Sequence, residues 1–418
     1  MRWNAFDTRW ALSLFGTAVG AGILFLPIRA GTGGFYPVVI MTLLIFPMVW
    51  LSHRALSRFV NESQSPEHDI THAAEEYWGR GVSIFITLLY FFAIYPICLA
   101  YGVGITNTFA SFFVNQLHLS SLYDEATMSL YPWARASLAF VLVSAMMAVM
   151  LLKEEQITKV CNVLVYPLCA VLFGFSLYLI PHWKLESLQE VPSFGEFIEV
   201  IWLTLPVLVF AFNHSPAIST FTLSVRREYT NSQEKANQIL FRTALLLLVF
   251  VMFFVFSCIL CLDSGDFAKA REANIPILSY FANQFNTPII ALGAPLVAFL
   301  AIVSSFFGHY FGALEGLNGI IRKGVKSSGR EPHIPTIKAC STAFMYVSII
   351  VVAYLNPSIL GFIEDLGGPI IAAILFLMPI IAIWSVGKLK DYKNPLLDIF
   401  VFVMGVLTIT SVVYKLFL

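Results

Sequence analysis

F-G-T-A-V-G-A-G-I-L-F-L-P-I, Phe15 to Ile28, is the stretch that decides how this chain is read. It lies inside an apolar run, Trp10 to Ile28, long enough to belong to a membrane crossing. Yet Gly16 to Gly22 is a poor helix interior, because each glycine costs about 0.5–1 kcal/mol relative to alanine. Backbone left unpaired in hydrocarbon costs several kcal/mol per group. A break there survives only where protein, ion or ligand covers the open N–H and C=O groups. A second break follows much later, at F-A-F-N-H-S-P, Phe210 to Pro216.

Composition sets the surroundings. Of the 418 residues, 58% are hydrophobic and only 12% are charged, and mean hydropathy is +0.79. A soluble domain carries roughly 25% charge, so this is an all-α integral membrane protein. Net charge is zero, which leaves no basic surface for nucleic acid. The first apolar run lacks a small-residue cleavage site and reads as a span, not a signal peptide. All six cysteines (Cys98, Cys161, Cys169, Cys258, Cys261, Cys340) fall in apolar runs, so neither disulfides nor metal use of the Cys258/Cys261 pair is expected.

At roughly 20 apolar residues per crossing, eleven spans are predicted, near 10–31, 34–57, 82–115, 134–152, 157–180, 197–224, 238–262, 288–321, 336–355, 357–386 and 396–417. Asp263 to Asn286 is too polar for a span and reads as an external loop with a short helix. With a cytoplasmic N-terminus, 19 of the 25 Lys and Arg residues, Lys153 among them, fall inside. An odd span count then puts the C-terminus outside. Breaks in the first and sixth spans divide the single domain, 1–418, into spans 1–5 (about 10–180), spans 6–10 (about 197–386) and an eleventh (396–417). That is a 5+5 inverted repeat, the sequence pattern of a secondary transporter with a midplane site.

The breaks also supply the chemistry. Gly16, Gly20 and Gly22 let a ligand touch main chain, and Thr17 adds a hydroxyl. N–H groups opening the second half-helix favour a carboxylate, and carbonyls closing the first favour a cation. At the second break Pro216 donates no N–H, which leaves the Phe212 carbonyl free beside Asn213, His214 and Ser215. On the eighth span Ser304, Ser305, Gly308, His309, Gly312, Glu315, Gly316 and Gly319 share an arc of about 140°, a small polar face that should pack inward. Ser304 and Ser305 could hold sodium with carbonyls of Gly16 and Val19. Glu315 must meet a donor, hold a proton or line water. His214 and His309 are candidates for proton or substrate contact. Tyrosines of the third span, Tyr101 among them, are candidates to line the site. Glu364 and Asp365 fall near the outer end of the tenth span, where an exposed entrance or a helix-first-turn role is expected rather than chemistry.

Phe15 to Ile28, L-Y-F-F-A-I-Y-P (Leu89 to Pro96), V-F-A-F-N-H-S-P (Val209 to Pro216), S-F-F-G-H-Y-F-G (Ser305 to Gly312), L-E-G-L-N-G (Leu314 to Gly319) and N-P-S-I-L-G (Asn356 to Gly361) together resemble the hydroxy/aromatic amino acid permease family. The likeness covers nearly the whole chain and is closest to the serine/threonine branch. It implies a LeuT-type core of spans 1–10 within the amino acid/polyamine/organocation superfamily. It further implies a symporter of the bacterial inner membrane, with Thr17, Ala18, Gly20 and Gly22 cradling an amino acid opposite Asn213, His214 and Ser215; Phe210 and Phe212, read from the second break itself, are candidates to wall an apolar or stacking surface. No cofactor is implied beyond a co-transported proton or sodium ion. The family implies the proton, whereas Ser304-Ser305 is similar to the pair in sodium-coupled members, so both ions stay open. An aromatic substrate and a nutrient sensor without transport are the competing readings. An enzyme is not expected, since no HExxH or nucleophile–base set occurs, and His309 and Glu315, about 120° apart on the helix wheel, are not a neighbouring pair. Oligomeric state is not fixed by the sequence.

Overall fold

A computed structural model describes residues 2–64, 69–124, 129–152, 154–185, 188, 191–285 and 287–417; Lys153 of the charge count lies outside them, as does the side chain of Cys161. Helices dominate. Asn4 starts α1 (Ala5–Ala18) with a capping box to Asp7, and α2 (Ala21–Ala30) follows the first break. Then come α3 (Phe35–Asn61), α4 (Ile70–Ser111), α5 (Pro132–Met150) and α6 (Glu154–Leu179). A short hairpin, β1 (Tyr123–Asp124) with β2 (Ser129–Leu130), lies before α5. Ser193 and Glu196 form the capping box of α7 (Phe194–Ala211), and α8 (Ile218–Glu228) continues that span beyond the second break. α9 (Ser232–Cys261), α10 (Ser264–Glu272), α11 (Ile277–Gln284), α12 (Pro288–Ser327) and α13 (Ile334–Leu355) follow. The tenth span, Ile359–Ser385, comprises α14 (Ile359–Phe362), α15 (Gly368–Ala372) and α16 (Met378–Ser385), joined by two π-helical turns. The last helix is α17 (Pro395–Lys415).

Among the described residues ten helices can cross a membrane, and the bent pair α1/α2 makes eleven. The eleven expected spans are therefore present, with shifted ends. The largest shift is in the third, expected at 82–115. Its helix starts at Ile70, capped by Asp69, and only the left-handed Gly79 (φ 76°) separates a short leading arm from the crossing. Hydropathy misses this arm because it is polar. The external loop carries two helices, α10 and α11, not one.

The two glycine- and serine-rich helices, α4 and α12, pack along one another in the middle of the bundle. α1 touches α6, α9 and α12, and α2 lies against α7. The inward face expected on α12 is there. A methyl group on Gly308 would meet Thr17, on Gly312 it would meet Pro216, and on Gly316 it would meet the Phe91 backbone. Close approach through small residues is what draws membrane helices together, and here it seats α12 against both breaks at once.

Candidate substrate site at two helix breaks

The first break bends the chain by 54°. Val19 still donates its N–H to the Phe15 carbonyl at 2.8 Å, and then Gly20 turns extended (φ −143°) and opens α2 with no side-chain cap. The first-turn N–H groups of α2 are thus open, as at any uncapped helix start. A side chain on Gly20 would collide with Ser305 and the Tyr101 hydroxyl, and one on Gly22 would lie 2.7 Å from the Ala211 backbone. Gly16 packs on Val165 of α6. Thr17 turns its hydroxyl to the Ser13 carbonyl at 2.9 Å.

Three spans are knitted together here by one chain of hydroxyls. Ser305 Oγ donates to the Thr17 carbonyl at 2.5 Å, so its single proton is used and Tyr101 donates to it at 2.6 Å. Ser304 is not part of this. Its hydroxyl donates to Ala301 of its own helix at 3.2 Å. Of the two serines expected at a sodium site, Ser305 reaches the first break, at Thr17, and Ser304 turns its hydroxyl into α12.

At the second break the Phe212 carbonyl is not free, contrary to the expectation from Pro216. The ring of His214 folds back, and Nδ1 donates to that carbonyl at 3.1 Å. Asn213 Oδ1 accepts the Ser215 N–H at 3.0 Å. Each side chain spends one polar end on local backbone and keeps the other unsatisfied. Asn213 Nδ2 and His214 Nε2 are buried without a partner, and so is Nε2 of His309, whose Nδ1 faces the Ser305 carbonyl at 2.9 Å. Buried polar atoms nearly always have partners. One donor and one acceptor thus stay open at the second break, and one acceptor on α12.

A residue the sequence reading missed completes this break. His53, on α3, accepts the His214 N–H through Nε2 at 3.1 Å and stacks on its ring, centroids 3.5 Å apart at 7°. A histidine inside an apolar second span was the available signal. Thr17, Ala18, Phe212, Asn213, His214, Ser215, Ser304, Ser305, His309 and Tyr101 are all buried. The site is closed toward both ends.

The closures are polar. At one end Asp7 and Lys235, both 0% exposed, pair at 2.6 Å, and Tyr229 donates to Asp7 at 2.8 Å. At the other end Glu364 is buried, not at an exposed entrance as its position suggested. Arg271 and Lys415 each reach it at 2.8 Å and Arg29 at 3.7 Å, which joins α2, α10 and α17 to the tenth span. Glu315 differs from both. Partly buried on α12, it takes the Ser219 hydroxyl at 3.2 Å and, among the described residues, no cation within 4.0 Å.

A helical bundle with two interrupted spans, open polar atoms at the breaks and ion-paired closures at each end is built as a multi-pass membrane transporter. Residues 10–414 match the tryptophan/tyrosine permease family, and the chain belongs to that family; it is a permease and not an enzyme. It is 47% identical over 422 residues to the serine transporter SdaC of Escherichia coli (strain K12), a match covering 99% of this chain and 96% of that protein. The Shigella flexneri serine transporter SdaC is 46% identical over the same length. The fold is also similar to a crystal structure of a mutant manganese transporter from Eremococcus coleocola, with a TM-score of 0.66 over 98% of this chain and 86% of that one. At 13% identity that likeness concerns the fold alone.

Proposed function

We propose that this chain imports a small hydroxy amino acid, L-serine first and L-threonine second, across a bacterial inner membrane by alternating access. The observation that carries this is the set of open polar atoms at the breaks. A zwitterion needs acceptors for its ammonium and hydroxyl protons and donors for its carboxylate and hydroxyl oxygen. Nε2 of His214 and of His309 are acceptors, Asn213 Nδ2 is a donor, and the first-turn N–H groups of α2 suit a carboxylate. The relatives named serine transporters support the same substrate. Phe210 and Phe212 are buried at the second break, and the family name keeps an aromatic amino acid as the second reading.

Coupling in this reading is to protons. A sodium site would need the hydroxyl oxygens of Ser304 and Ser305 to converge with carbonyl oxygens of the break; only Ser305 lies at the break, and Ser304 turns into its own helix. Glu315 fits the proton-bearing role better than Glu364 or Asp7, because protonating either of those would leave its buried cations unpaired, whereas Glu315 has no ion-pair partner to lose when it takes up a proton. The N-terminus is placed in the cytoplasm, so the Asp7–Lys235 pair closes the inner path and the Glu364 cluster the outer one. Spans 1–5 and 6–10 act as inverted repeats; breaks in the first member of each support this, as do the extra helices after the second and seventh spans.

The test is uptake of radiolabelled L-serine into proteoliposomes under separately imposed proton and sodium gradients, with L-threonine and L-tryptophan as competitors. Uptake following the proton gradient and blocked by threonine supports the reading. Sodium-dependent uptake overturns the coupling, and block by tryptophan alone overturns the substrate.

A further inference from the structure

The His53–His214 pair lies between a helix that is continuous and one that is broken. His53 Nδ1 lies 2.8 Å from the Val49 carbonyl of its own helix, so it must carry the proton and donate. The Ser52 hydroxyl donates to that same carbonyl at 3.2 Å. Nε2 then holds a lone pair, and it accepts the backbone N–H of His214. Both nitrogens are committed, and the ring is neutral in one tautomer. It is 1% exposed. His214 differs in one respect, since its Nδ1 is committed to Phe212 while its Nε2 is open.

We infer that His53 is a positioning residue for substrate binding: it holds the backbone and ring of His214 so that His214 Nε2 stays open at the second break. This rests on the second break being the substrate site. The break has no continuous helix to hold it. The His214 backbone (φ −129°, ψ 20°) is outside the helical region, and its N–H has no carbonyl acceptor. Without the His53 lone pair that N–H would be buried and unpaired, or would turn toward another acceptor and take the ring with it. The face-to-face stack limits the ring further, because a parallel neighbour at 3.5 Å blocks rotation out of plane. His53 itself presents no open nitrogen, so it neither touches the substrate nor carries its proton.

Two conservative substitutions separate these roles. The side-chain amide of His53→Gln reaches the place of Nε2 and can accept the His214 N–H, but it cannot titrate. That of His53→Asn reaches only the place of Nδ1 and leaves the N–H unpaired. Serine uptake by the full-length protein in proteoliposomes is measured for both variants, with KM and maximal rate taken separately, over a range of pH. The expected result is a KM raised roughly tenfold in His53→Asn, in line with losing one buried hydrogen bond, and a KM within about twofold of wild type in His53→Gln with an unchanged pH profile. Equal KM values in both variants and wild type overturn the proposal. So does a His53→Gln that binds serine normally but loses its pH dependence, which would make His53 a proton carrier. His214→Ala is the control for the underlying reading. If it leaves serine KM unchanged, the second break is not the substrate site and the inference falls with it; if it raises KM while His53→Asn does not, the inference alone falls. Should His53→Asn not fold, failure of His53→Gln to restore wild-type KM still overturns the role.

Discussion

The two helix breaks answer the same physical demand in opposite ways. Each leaves main-chain groups open in the middle of a membrane, where an unpaired group costs several kcal/mol. The first break is built from residues with almost no side chain, and its neighbours do the work. Ser305 holds the Thr17 carbonyl, Tyr101 backs Ser305, and α7 packs onto Gly22. The second break is built from side chains that cap their own backbone, with His53 reaching in from α3. The first fixes a shape and contains nothing that titrates. The second keeps open side-chain atoms, where the first offers only main chain. The difference teaches that one break can be closed by its neighbours' packing and the other by its own side chains.

The harshest way to break that comparison is to fill the first break. Gly22→Val would drive a side chain into the Ala211 backbone. Displacements of about 1 Å cost on the order of 100-fold in rate, so serine uptake should fall at least that far while the protein still reaches the membrane, as checked by immunoblot. Uptake within a few fold of wild type would show that the break is not a tight seat.

Next comes the carboxyl without a cation. Glu315→Gln keeps the acceptor for Ser219 and removes the titrating proton. Proton-driven accumulation should be lost while exchange of internal for external serine continues. Loss of both, measured in the same vesicles, would make Glu315 structural, like Glu364.

Asn213→Asp probes the second break more gently. It keeps an oxygen that accepts the Ser215 N–H and replaces the open donor Nδ2 with an ionisable carboxyl oxygen. A drop in serine affinity of about tenfold is expected from one lost buried hydrogen bond, read by serine-induced thermal shift. No change would mean that Nδ2 does not meet substrate.

The smallest effect separates two adjacent serines. Ser305→Ala frees the Thr17 carbonyl and should raise KM roughly fivefold, whereas Ser304→Ala removes only a bond within α12 and should stay within about twofold. Equal losses in both, together with a sodium requirement, would restore the sodium site and erase the contrast drawn between the breaks.

Much of the site was legible before any coordinates. Gly16, Gly20 and Gly22 cannot sit mid-span without a reason, and neither can N-H-S-P, so both breaks and their side chains could be located from helix energetics. The inward face of α12 followed from a spacing of small residues. What failed did so for identifiable reasons. The Phe212 carbonyl looked free because proline removes a donor, but a side chain two residues on, His214, supplied another. Ser304 and Ser305 looked equivalent as a dipeptide, yet neighbouring residues on a helix point about 100° apart, so one faces the break and the other does not. Glu364 looked exposed because its three cations come from α2, α10 and α17, remote in sequence.

By itself, then, the sequence determined a polytopic helical membrane protein with two interrupted spans and the small residues that bring α12 against them. These are local or periodic properties, set by hydropathy over a span and by the cost of glycine and proline within a helix. Only the tertiary structure decided which polar atoms are satisfied and which stay open. That choice depends on where a partner from another helix happens to lie. His53, 161 positions from His214, is the clearest instance: no pattern along the chain joins the two rings, and only the packing of α3 beside the second break stacks them.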